Sequence, residues 1–160
     1  MADNVVTHYA GGNSILDAIG ESLRKAGKDV GRLTSADLAT VDEFHIRGRQ
    51  ATLELARSLN LSAASHVLDI GSGLGGPART VAETYGCHVT GIDLTQAFCD
   101  AAAAMSKWVG LGDRVSFEQG DATALPFADG QFDAAMTIHV AMNILRKDRV
   151  YAEARRVLKK

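Results

Sequence analysis

The sequence predicts a doubly wound α/β fold of the Rossmann-like kind, a parallel sheet standing behind an N-terminal helical segment. Three observations predict it. Four short apolar runs read as strands, helical stretches separate them, and a glycine cluster follows the first run at once. Strands alternating with helices pair in parallel through right-handed crossovers.

Residues 1 to 13 read as an extended arm. Ser14 is then a candidate cap for a helix whose Ile15, Leu16, Ile19 and Leu23 recur at helical spacing until Gly27 stops it. A short second helix starts at Thr34, and a third runs from about Arg47 to Leu59 with Leu53, Leu55, Ala56 and Leu59 on its apolar side. The pattern changes at His66. HVLDI is a strand, PARTVAETYG a helix with Gly86 as its stop, and HVTGID a second strand. Thr95 caps an Ala-rich helix reaching to about Trp108, after which RVSFEQGD and FDAAMTIH supply strands three and four. A last helix, roughly Asp148 to Leu158, brings the chain to Lys160. The expected division is an arm and helical cap over 1–60 and a sheet core over 61–160. The sheet is read as incomplete after strand four and its following helix. A long apolar edge on strand four is then open to self-association.

Composition narrows the partners. The chain has 160 residues, 46% of them hydrophobic, and its formal net charge of -2 gives no general attraction for nucleic acid or an anionic membrane. A small molecule is the expected partner. Cys87 and Cys99 have neither CxxC spacing nor a Cys/His cluster around them, so they read as buried thiols rather than metal ligands. The N-terminus lacks a signal-peptide pattern, and no run reaches the ~18 apolar residues of a membrane span. A cytoplasmic protein without a bound metal is expected.

VLDIGSGLGG places Gly71, Gly73 and Gly76 as G-x-G-x-x-G between a strand and a helix. Such glycines turn the chain tightly and let a ligand approach the backbone and the N–H groups of the next helix. Charge then separates the ligand classes. Asp69 stands two residues before Gly71, where a pyrophosphate would be repelled and a ligand bearing sulfonium and ammonium groups attracted. Asp93, twenty-two residues after Gly71, ends strand two at the spacing of a carboxylate that takes both ribose hydroxyls. Asp121 and Ala122 after strand three are able to read an adenine edge, one accepting and the other donating. Each aspartate alone would read as a cap or loop residue; three at successive strand ends read as one ligand site. A nicotinamide-dependent oxidoreductase shares the glycines and Asp93 but not the reason for Asp69 and Asp121. A fragment that binds cofactor without catalysis is the other alternative.

VLDIGSGLGG, GIDLT, GDATALPF and FDAAMTIHVAMNI together resemble the class I S-adenosylmethionine-dependent methyltransferases over roughly Thr34 to Lys160. DEFHIRGRQAT, GSGLGGPAR and HVAMNI are most similar to the branch of sarcosine and dimethylglycine N-methyltransferases. The resemblance implies S-adenosylmethionine as cofactor and a small-molecule acceptor, an amine in that branch. It implies that the backbone of Gly71, Ser72, Gly73 and Gly75 lines the methionyl group, that Asp93 holds the ribose, and that Leu94 packs on adenine. Asp121 and Ala122 would read the adenine edge, and His139 would sit beside the transferred methyl. His45, in EFHIRG, either joins His139 in the catalytic site or makes a helix-end hydrogen bond. His8 and Tyr9 either fold over the cofactor or belong to a free arm, while His66 and His88 begin strands and read as structural. Arg47 and Arg49 read as surface charge or carboxylate ligands, and Met136 and Met142 as sheet packing or, alternatively, ligand contacts. Relatives continue past RRVLKK with a further strand and an acceptor lid.

Overall fold

A computed structural model of the chain describes residues 12–160; His8 and Tyr9 lie outside the described residues. Among the described residues three helices precede the sheet: α1 (Gly12–Lys25), α2 (Ser35–Asp42) and α3 (Gly48–Arg57). Ser14 falls inside α1 instead of capping it. Thr34 does cap α2, in a capping box in which its side chain accepts from the Asp37 N–H while the Asp37 carboxylate takes the Thr34 N–H. On α3 the buried residues are Thr52 and Ala56, whereas Leu55 is exposed, so the expected leucine face is rotated toward Thr52.

The sheet follows as β1 (His66–Ile70), α4 (Gly76–Tyr85), β2 (His88–Asp93), α5 (Gln96–Trp108), β3 (Val115–Gln119), β4 (Ala134–Met136) and α6 (Lys147–Val157). Its order is β3-β2-β1-β4, with every pair parallel. Successive side chains of a strand point to opposite faces. Val67, Val89 and Val115 therefore share one apolar layer with Ala78, Val81 and Ala82 of α4, and Leu68, Ile70 and Ile92 share the other with Val150 and Val157 of α6. The helical segment is tied in by a third cluster, in which Ile15, Ile19, Leu23 and Leu38 meet Ala101 and Met105 of α5.

Chain direction along the sheet reverses between β1 and β4. At such a switch point the loops leaving two neighbouring strands diverge and open a crevice at the carboxyl end of the sheet. Here the loop after β1 carries the glycines, and the segment after β4 carries His139 and Val140. β4 ends at Met136, shorter than FDAAMTIH suggests, so His139 stands three residues beyond the strand with φ +56. Beyond α6 the chain is extended: Leu158 bridges Phe132 in parallel, flanked by Phe132 N–H to Val157 O and Lys159 N–H to Phe132 O, both 2.9 Å. The segment leading into β4 is thus already paired on its outer side at Phe132.

Candidate functional site

The glycine loop has the backbone its sequence asks for. Gly71, Gly73 and Gly75 all have positive φ, +77, +51 and +80, a region that L side chains rarely adopt. A Cβ at Gly71 would stand 2.8 Å from Val140 Cβ, so the loop after β1 and the loop after β4 touch here without room for a methyl group. Gly71→Ala is expected to cost about 1–3 kcal/mol through overpacking and strain, read as an earlier denaturant midpoint at unchanged slope. At Gly73 a Cβ would meet nothing within 4 Å, which leaves its backbone open to a ligand.

Asp93 closes that loop. One carboxylate oxygen accepts the Gly73 N–H at 2.9 Å and the other accepts, at 3.0 Å, the N–H of Thr95, which is the N-cap residue of α5 although its own side chain makes no capping bond. Each oxygen retains a lone pair for a ribose hydroxyl. Leu94, next in the chain, is 63% exposed, an apolar surface beside that carboxylate. Gly120 N–H donates to Asp93 O at 2.9 Å, bringing the loop after β3 alongside. In that loop Asp121 is exposed and accepts from the Thr123 N–H and hydroxyl, both at 2.8 Å, while Ala122 is half-buried. Asp93, Leu94, Asp121 and Ala122 thus follow two adjacent strands at one edge of the crevice.

Asp69 is placed differently from the expected acidic rim. It lies within β1 opposite Gly91 and Met136, 1% exposed, with Oδ2 unpartnered. Burial, and next the charges of Asp93 and Glu43, push its carboxyl up to about 7. Burial likewise lifts Asp42 to about 6 against the pull of Arg79. An acid raised in the fold stabilises it below the unfolded value, about 3.8, and that contribution is lost as pH rises through the folded value. Asp69→Asn is therefore expected to flatten the fall in stability between about pH 4 and 7 and to be the more stable form near pH 8. Parallel stability curves for the two proteins across that range would refute this origin of the pH dependence.

A cavity of about 850 Å³ opens on the other side of the glycine loop. Gly71, Ser72 and Gly73 form its floor, Ile138, His139 and Val140 one wall, and α1 with the α2–α3 turn the opposite one, including Ile19, Phe44 and His45. His45 and His139, distant in sequence, meet here with ring centroids 5.9 Å apart. Among the described residues no lysine or arginine lines the cavity. Its walls are largely aliphatic and aromatic, yet three of the residues lining it, Asp42, His45 and Ser72, each carry a buried polar atom without a partner among the described residues. Unpaired buried polar atoms cost about 1–3 kcal/mol each, and sites bound for a polar ligand are where that cost is tolerated.

Sequence reasoning missed the support beneath this wall. Arg79 of α4 is 1% exposed, donates to Asp42 at 2.6 Å, to Ser106 Oγ at 3.0 Å and to Ala102 O at 3.1 Å, and also to Leu74 O in the glycine loop. Beside it the buried Glu43 accepts the hydroxyls of Thr52 and Thr80 at 2.7 and 2.6 Å. The available signal was an arginine among the apolar positions of α4 and an acidic pair ending α2. Elsewhere Arg47 pairs with Glu54, and Arg49 pairs with Glu83 and reaches Thr80, so both arginines are committed to protein partners. Met136 is buried in the sheet core and Met142 is exposed. Cys87 and Cys99 are free and buried, with Cys99 pushed up to about 11 by burial. Among the described residues no three His, Cys, Asp or Glu side chains are grouped to hold a metal, and no helix is long and apolar enough to cross a membrane.

Comparison with known proteins adds to this geometry. A family described as a methyltransferase domain matches residues 67–160. The sterol 24-C-methyltransferase ERG6B of Gibberella zeae is 38% identical over 105 residues, 66% of this chain and 28% of that protein. The methyltransferase GfsG of Streptomyces halstedii is 35% identical over 123 residues, 77% of this chain and 44% of that protein. The glycine/sarcosine/dimethylglycine N-methyltransferase of Actinopolyspora halophila is 29% identical over 158 residues, 99% of this chain and 25% of that protein. The chain therefore spans less than half the length of these relatives. Among solved structures, the cyclase SpnF matches with TM-score 0.67 and 35% identity over 69% of this chain and 41% of its own. Geranyl diphosphate methyltransferase in complex with SAM shares the fold with TM-score 0.68 and 24% identity over 78% of this chain and 50% of its own. With the family matched over more than half of this chain, on a parallel sheet of order β3-β2-β1-β4, the chain belongs to the class I S-adenosylmethionine-dependent methyltransferase family.

Proposed function

We propose that this protein binds S-adenosylmethionine across the carboxyl end of the sheet and transfers its methyl group to a small molecule, with an amine as the acceptor class. The observation that carries the reading is the Asp93 clamp. A half-buried carboxylate tethers the Gly73 N–H at 2.9 Å and so joins the glycine loop to the carboxyl end of β2, where a nucleoside would lie on this reading. On this reading Asp93 takes the ribose hydroxyls, Leu94 packs on adenine, and Asp121 with Ala122 reads its edge. Gly71, Ser72, Gly73 and Gly75 line the methionyl group, with the buried carboxyl of Asp69 in the strand that leads into them. The residues present fit such a ligand: a Cβ at Gly73 would meet nothing within 4 Å, and the cavity walls hold a carboxylate oxygen of Asp42 and, among the described residues, no lysine or arginine.

The cofactor supplies a methyl group on a positively charged sulfur. The protein's own contribution is alignment and exclusion of water, because an in-line displacement needs acceptor, methyl and sulfur at near-attack distance. Ile19, Phe44, Phe98 and Ile138 supply apolar walls for that purpose, and His45 and His139 mark its polar end. The amine acceptor is suggested by the likeness to the N-methyltransferase of Actinopolyspora halophila. The buried free thiols suit a reducing compartment such as the cytoplasm.

Calorimetric titration of the purified chain with S-adenosylhomocysteine tests the cofactor. Micromolar binding supports the reading, and binding of NAD in its place would sink it. A second reading follows from the 35% identity to SpnF, whose name describes ring formation. Incubation with methyl-labelled S-adenosylmethionine and a panel of small amines separates the two, since a cyclase leaves the label on the cofactor.

A further inference from the structure

Counting donors around His45 assigns its tautomer. Glu43, its side chain 1% exposed, accepts the Thr52 hydroxyl through Oε2 and the Thr80 hydroxyl through Oε1. A hydroxyl has one proton, so Thr52 has none left to give. His45 Nε2 stands 3.2 Å from that same Thr52 Oγ1 and 3.4 Å from Glu43 Oε2. With both oxygens acting as acceptors, these contacts are favourable only if Nε2 carries the hydrogen. A neutral imidazole has one N–H, which leaves Nδ1 with its lone pair. Nδ1 is buried and without a partner among the described residues, on a ring that lines the cavity beside His139.

We propose that His45 is the proton acceptor of this site, acting through Nδ1, with Thr52 and Glu43 as the residues that position it. The proposal rests on the methyl-transfer reading above and adds the acceptor class: a nucleophile that carries a removable proton on nitrogen or oxygen. In the step, the lone pair of that nitrogen or oxygen forms a bond to the methyl carbon. The methyl–sulfur bond breaks with its electron pair going to sulfur, and the nucleophile's proton passes to Nδ1. The resulting imidazolium keeps Thr52 and Glu43 as acceptors for its Nε2–H, so the ring takes a proton without reorganising its anchor. The other charged or titratable groups around it are Asp42 from α2, Arg49 from α3 by way of Thr80, Asp69 from β1 near Glu43, Arg79 from α4 by way of Asp42, and His139.

Long-range proton–nitrogen NMR of the nitrogen-15-labelled chain reads both ring nitrogens of His45, assigned by the signals missing from His45→Gln. The expected spectrum at high pH has Nε2 protonated and Nδ1 bare. On acidification the Nδ1 resonance moves to the protonated region while Nε2 stays in place. Thr52→Ser should preserve this pattern, and Thr52→Val, which leaves only Glu43 Oε2 facing Nε2 at 3.4 Å, should admit a share of the Nδ1–H tautomer, seen as the two resonances drawing closer together. An Nδ1–H tautomer in the unmodified chain would overturn the proposal, as would an Nδ1 resonance that stays put over the titration or a Thr52→Val spectrum like that of the parent. Calorimetry with S-adenosylhomocysteine on the same samples keeps the two readings apart. The chain and Thr52→Val should bind it within about twofold of each other, and absence of binding in both would count against the cofactor reading alone.

Discussion

Replacing Asp93 by alanine is expected to weaken S-adenosylhomocysteine binding about 100-fold or more, measured by calorimetric titration of the folded variant. Two contributions add up. A hydrogen bond to a charged group contributes about 1.5–3 kcal/mol, and Asp93 offers a free lone pair on each oxygen, one for each ribose hydroxyl. Its removal also releases the Gly73 N–H, held at 2.9 Å, and the Thr95 N–H, held at 3.0 Å, so the glycine loop loses its tie to the second strand. A combined loss near 3 kcal/mol corresponds to about two orders of magnitude in Kd. Asp93→Asn should fall between, because the amide oxygen is able to hold Gly73 while its NH₂ repels the Thr95 N–H and the charge is gone. Unchanged affinity in a folded Asp93→Ala chain would remove Asp93 from the ligand site.

Asp93 was legible in the sequence because it ends an apolar run whose bounds are local. HVLDI and HVTGID became β1 and β2 residue for residue, each closed by a glycine or an aspartate where the chain must leave the sheet. The fourth run misled, since TIH continues its apolar character after the chain has left β4. Ile138 and Val140 are apolar because they wall the cavity, Val140 also pressing on Gly71, and a pattern of hydrophobicity cannot tell that packing from burial in a sheet. Asp69 shows the same limit from the polar side: its position two residues before Gly71 is visible, while its burial depends on register with β2 and β4. Thr52 displaced Leu55 from the covered face of α3 because its hydroxyl is satisfied by Glu43, nine residues away. Helical periodicity counts carbon and has no means of counting that partner.

The least legible feature, the buried Arg79–Asp42 pair, spans 37 residues and should have the largest effect on stability. Arg79→Met is expected to destabilise the chain by about 3–5 kcal/mol, because it leaves a buried carboxylate without its counter-charge. In a domain of this size that is a fall in Tm on the order of 10 °C. The hydroxyl of Ser106 and the carbonyls of Ala102 and Leu74 lose donors at the same time. The pH dependence identifies the cause. Asp42 is already lifted to about 6 by burial, and without Arg79 it rises further, so the variant's deficit should be greatest above neutrality. It should shrink as acid protonates Asp42 in the fold. The double variant Asp42→Asn, Arg79→Met removes the stranded charge and should recover part of the loss, by the logic of a double-mutant cycle. A deficit that does not change with pH, or a double variant worse than the sum of the singles, would mean that Arg79 acts through packing alone. Since Arg79 also grips Leu74 O, any stability lost here should carry the glycine loop with it, and cofactor affinity should fall even in the fraction that stays folded.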